Sequence, residues 1–86
     1  MPSVSRFFGI VVAMYYNDHA PSHFHVRYAE HLAKVNIETL DLFEGRLPRR
    51  ALALTLEWAA LHREELRQNW DKARNGLELQ QIEPLE

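Results

Sequence analysis

His23-Phe24-His25-Val26-Arg27-Tyr28-Ala29 alternates His23, His25 and Arg27 with Phe24, Val26 and Tyr28, the period of two that marks a β-strand with one wet face. The same alternation puts His23 and His25 on one side of the strand. Upstream, Phe7 to Asn17 is rich in β-branched and aromatic residues and stops at Asn17-Asp18. It reads as a strand buried on both faces, joined to the first by the turn Asn17-Asp18-His19-Ala20-Pro21-Ser22. Downstream, after a tight break at Glu30-His31, Ala33, Val35 and Ile37 alternate with Lys34, Asn36 and Glu38. Three short strands with short links predict an antiparallel meander.

Leu40 to Gly45 reads as a loop or short edge piece. Beyond it, Pro48 opens an Ala/Leu/Glu/Arg-rich stretch that ends at Asn75-Gly76. Proline suits a first helical turn and glycine the position just past a helix end, so a helix is predicted over about 47–75, continuous or broken at Leu61-His62-Arg63. The expected fold is therefore α+β in a single domain over 1–86. A three-stranded antiparallel meander occupies about 7–42, one long or broken C-terminal helix packs on it, and residues 76–86 form a tail that docks or frays.

At 86 residues, with 47% hydrophobic and 10% aromatic residues, the chain supports a real but thin core. A thin core leaves room for a partner protein or a homodimer. Ten Lys and Arg against twelve Asp and Glu give a formal charge of −2, so any nucleic-acid contact has to be local. The absence of cysteine excludes disulfides, thiolate zinc sites and cysteine nucleophiles. No uncharged run approaches a membrane span, and a cytoplasmic location is expected.

Chemistry concentrates in Asp18-His19-x-Pro21-x-His23-x-His25. Imidazole can donate and accept protons near neutrality. His19 or His23 as base, His25 as proton donor and Asp18 as orienter would suit metal-independent acid–base cleavage of RNA. The rival use is metal ligation: His19, His23 and His25 can span a site for a divalent ion such as zinc, with Asp18 as fourth ligand or as orienter. The third reading is a polar turn that happens to carry histidines.

Arg46, Arg49 and Arg50 cluster at the predicted helix start, where the macrodipole disfavours cations; a bound phosphate would offset that, as would nearby Asp41 and Glu44. Tyr16, Glu57 and His62 are secondary candidates, with His62 also suited to a hydrogen bond with Glu65 or Glu57. Trp58 and Trp70 read as core or partner-binding anchors. Neither a glycine-rich phosphate loop nor a serine-nucleophile motif is present.

Ser5-Arg6-Phe7-Phe8-Gly9-Ile10, Met14-Tyr15-Tyr16-Asn17-Asp18-His19-Ala20-Pro21, His23-Phe24-His25-Val26, Leu47-Pro48-Arg49-Arg50-Ala51-Leu52, Glu57-Trp58-Ala59 and Leu61-His62-Arg63-Glu64-Glu65-Leu66 together resemble the bacterial family catalogued as domain of unknown function 4160. Ser22 stands where members usually have a second proline, and Ala29-Glu30-His31 replaces a glycine-rich approach to the third strand. The resemblance implies one half of a two-gene module and, as in its DhiT-like members, the toxin of a type II toxin–antitoxin pair. The antitoxin would be a protein of the domain of unknown function 2442 family. It points to Asp18, His19, His23 and His25 first, then Tyr16, Glu57, His62 and Trp58. The expected function is thus a small toxin acting on RNA or the translation machinery through its histidines. A non-enzymatic protein-binding or regulatory module and a histidine-rich metal-binding protein are the alternatives.

Overall fold

In a computed structural model, which describes residues 2–86, the chain forms five strands and then two helices. The strands are β1 (Ser3–Phe7), β2 (Ile10–Ala13), β3 (His23–Tyr28), β4 (His31–Asn36) and β5 (Leu42–Gly45), and the helices are α1 (Arg49–Leu61) and α2 (Arg63–Arg74). All five strands pair antiparallel in chain order. The three-stranded meander with a single helix is therefore corrected to a five-stranded meander with two.

The extra strand at the N-terminus comes from a turn concealed within an apolar run. Phe7 pairs directly with Ile10. Phe8 (φ 48) and Gly9 (φ 80) between them are both left-handed, the backbone of a two-residue hairpin loop whose twist matches its strands. What reads as one strand over 7–17 is thus the end of β1, a turn and β2. The expectation of two buried faces gives way to one. Phe7, Ile10, Val12, Phe24, Val26, Ala33 and Val35 are buried toward the helices, whereas Arg6, Val11, Arg27 and Lys34 fall on the opposite, open face by register.

The extra strand at the other end, β5, pairs with β4. Gly45 (φ +84) carries that edge, because a Cβ there would stand 2.0 Å from the Leu32 carbonyl oxygen. Gly45→Ala combines this clash with a left-handed backbone and is expected to cost upward of about 2 kcal/mol. Urea unfolding checks the figure.

In α1 the buried residues are Ala51, Thr55, Trp58 and Ala59, and in α2 they are Leu66, Asn69, Trp70 and Ala73. Each set follows the i, i+3/i+4, i+7 spacing of one apolar stripe. His62 (φ −121, ψ 24) separates the helices. Its N–H reaches the Trp58 and Ala59 carbonyls, and its own carbonyl accepts from Leu66. The break aims the second stripe at the β4–β5 connection, where Arg63 donates to the Ile37 carbonyl (3.2 Å) and Arg67 forks onto Glu38 (2.7 and 2.8 Å). Trp58, fully buried, lies 5.3 Å from the Phe7 ring and 5.9 Å from the Phe24 ring.

Residues 77–86 dock without forming a helix or strand. Ile82 enters the core, and its N–H donates to the Val4 carbonyl (2.8 Å). The buried Asn69 carboxamide brackets Gln80, donating to its carbonyl and accepting from its N–H. Trp58 Nε1 donates to the Glu83 carbonyl (2.8 Å). Among the described residues, no helix is long and apolar enough to cross a membrane.

Candidate metal centre at the start of the third strand

Asp18 sits in the connection between β2 and β3, and His23 and His25 point from the first half of β3 toward its carboxylate. His25 Nε2 donates to Asp18 Oδ2 at 2.8 Å. His23 Nε2 lies 3.0 Å from the same oxygen, but off the line of a hydrogen bond, so this buried nitrogen has no hydrogen-bond partner. The other His23 nitrogen, Nδ1, is 2.7 Å from the Pro21 carbonyl. A carbonyl can only accept, so Nδ1 carries a proton. In the neutral ring the Nε2 lone pair is then free to coordinate, the tautomer that metal-binding histidines adopt when a carbonyl holds their other nitrogen. One ligand atom each from Asp18, His23 and His25 lies within 4.8 Å of the others.

The pocket around this trio is aromatic. The His23 ring is 4% exposed and lies 5.2 Å from the Trp70 ring of α2 and 5.5 Å from the Phe43 ring of β5. Tyr15 meets the His25 ring edge-on at 4.4 Å. Burial opposes the charge on Asp18. Hydrogen bonds from the His25 ring and the His19 N–H, with the neighbouring His23 and His25, outweigh it and hold the carboxyl below its ordinary value.

His19 does not join the group. Its side chain is exposed in the turn, and it contributes only its backbone N–H to Asp18 Oδ1 (3.0 Å). His62 pairs instead with Glu65 (2.6 Å), while Tyr16 and Glu57 are exposed. The three arginines are all exposed. Arg46 continues the β4–β5 ladder, its N–H on the Leu32 carbonyl (3.1 Å), whereas Arg49 and Arg50 lie in the first turn of α1. The arginines thus start from the Leu32 end of β4, while His23 pairs with Asn36 at its other end. Trp58 and Trp70 are both buried within the fold. Sequence reasoning missed Tyr15 and Phe43, which reach the histidines only through folding. The aromatic character of the two residues was their only signal.

Beside His25, the open face of the sheet holds a groove of about 380 Å³, with Val11, Ala13 and Leu32 as apolar walls and Tyr15, Arg27 and Lys34 among its polar lining. Lys34 is paired with Glu44 at 3.2 Å.

A meander backed by two helices, with a histidine–carboxylate cluster at one end of its third strand, defines a small α+β protein with one concentrated polar site. The profile of the family described as Domain of unknown function (DUF4160) matches residues 9–71, and the chain belongs to that family. Among curated proteins and among solved structures, nothing matches it.

Proposed function

We propose that Asp18, His23 and His25 form a divalent transition-metal centre, and that the protein is the toxin of a two-protein module whose activity depends on it. The observation that carries the metal reading is the convergence of two imidazole Nε2 atoms and a carboxylate oxygen, with the His23 Nδ1 proton committed to Pro21; binding an ion would displace the proton that His25 Nε2 donates to Asp18. Two histidines and one carboxylate match the protein ligands of catalytic zinc and non-haem iron sites, which keep an open position for water or substrate. Bound there, the ion would act as a Lewis acid or activate a water.

Metal-free acid–base cleavage is less well supported. Such chemistry needs two histidines facing the scissile bond from separate directions, and here both Nε2 atoms turn inward onto one carboxylate oxygen. Metal analysis of untagged protein is expected to find one zinc bound per chain after equilibration with the ion and buffer exchange. A wild-type chain that retains none overturns the metal reading.

The toxin reading, with a cognate antitoxin of the domain of unknown function 2442 family, rests on the family resemblance. Tightly induced wild type is expected to arrest growth, and co-expression of that partner to relieve it. His25→Ala at matched protein level is expected to leave growth unaffected. Absence of arrest by the wild type counts against a toxin in that host.

A further inference from the structure

The chain carries a net formal charge of −2, yet the charges within its strands are mostly cationic. Within the five strands the cations are Arg6, Arg27 and Lys34, and Glu44 is the one acid. The remaining acidic residues lie in connections, helices and tail. Register places Arg6 opposite Val11, Val11 opposite Arg27 and Arg27 opposite Leu32. They form a single row across four strands, with Arg6 and Arg27 two strand spacings, about 10 Å, apart. Arg46 takes the next position in the same ladder, bonded to Leu32. Arg6, Arg27 and Arg46 are exposed, and none forms an ion pair among the described residues, although Arg6 shares a cleft with Glu83 of the tail.

Apolar surface is interleaved with this row. Leu32 is 67% exposed, and the groove between the arginine row and His25 has Val11 and Tyr15 in its lining. Unpaired guanidinium groups suit a polyanion, and an apolar recess suits the face of an unstacked base. A duplex keeps its bases stacked inside and would leave the recess unused.

We propose that the open face of the sheet binds single-stranded nucleic acid, with phosphates along Arg6, Arg27 and Arg46 and a base in the groove beside His25. This goes beyond the metal reading and does not need the ion, so the test is run in EDTA. A failure there is distinct from a failure to find bound zinc. The probes are fluorescein-labelled U12 and dT12 and a 12-base-pair DNA duplex, followed by anisotropy at several salt concentrations.

Wild type is expected to bind at least one single strand more tightly than the duplex. The Arg6→Glu/Arg27→Glu double variant is expected to bind at least about 10-fold more weakly. Losing two phosphate contacts should also flatten the slope of log K against log salt by about 1.4. Arg49→Glu/Arg50→Glu changes charge equally but at the start of α1, and is expected to stay within about twofold of wild type. A preference for U12 over dT12 would identify the 2′-hydroxyl as part of what is read, and the reverse preference a deoxyribose strand; either supports the proposal. No binding by the wild type, equal binding of the duplex, or equal losses in the two double variants overturns it. The last two outcomes would mark non-specific charge attraction or a different surface.

Discussion

His25→Ala protein is expected to hold zinc at least about 100-fold more weakly than wild type in competition with a chromophoric chelator. Losing a residue that only supports a ligand typically costs 10–100-fold in metal affinity, so losing a ligand should reach or exceed the top of that range. His25 is the sharper variant, because its side chain is about a quarter exposed (24%), whereas the His23 ring is buried. His23→Ala is expected to lose as much affinity, but it also empties space against Trp70 and Phe43. His25 therefore decides the result and His23 corroborates it. His62→Ala supplies the control: it removes a histidine paired with Glu65 and outside the cluster, and zinc affinity is expected to remain within about twofold of wild type. Equal affinities for the His25, His62 and wild-type proteins would place any bound zinc elsewhere on the chain. Affinity is also expected to fall as the solution is acidified, because ligand imidazoles must be neutral to bind.

Trp58→Ala is expected to destabilise the fold by about 3–5 kcal/mol, as is usual when a fully buried aromatic is truncated. At the usual stability of roughly 0.05–0.15 kcal/mol per residue, that is a large share of what a chain this short possesses. Trp58 packs against both Phe7 and Phe24, so the cavity opens between α1 and two different strands. Its Nε1 also holds the Glu83 carbonyl, so the same variant loosens the docked tail. Trp58→Phe separates the two effects. It keeps most of the ring contacts while removing the donor, at an expected cost of about 1–3 kcal/mol. Urea denaturation gives both values, and hydrogen exchange at Ile82, whose N–H bonds Val4, reports the tail. Unchanged exchange at Ile82 in both variants would show that the tail is held without the Trp58–Glu83 bond, through Ile82, Asn69 and the Gln81 side chain on the Ser3 carbonyl.

How far the fold is legible from the residues depends on how local each signal is. The alternation through β3 and β4 and the helical composition after Pro48 belong to neighbours in the chain, and both are realised. Phe8-Gly9 escaped notice because an apolar residue occupies the first turn position, so the hairpin reads as one continuous run. β5 escaped because its four residues gain their pairing only from β4, and Gly45 has meaning only against the Leu32 carbonyl. The site divides in the same way. Asp18, His23 and His25 stand out within a few residues of one another, whereas His19 shares their sequence neighbourhood and its side chain lies outside the cluster.

By itself, then, the sequence singled out the stretch that holds Asp18, His23 and His25 and determined that β3 sets the two histidines on one face, because strand geometry repeats every two residues. Only the tertiary structure decided that their Nε2 atoms meet on one oxygen of Asp18, that Pro21 claims the other His23 nitrogen, and that Trp70 and Phe43 flank the ring. The first two depend on how the β2–β3 connection folds back on the start of its own strand, and the third on where β5 and α2, far away in sequence, come to rest. Local pattern encodes the direction of a side chain along its own element. Convergence on a shared atom requires the backbone path of the turn, and the rings that enclose it require the packing of the whole domain.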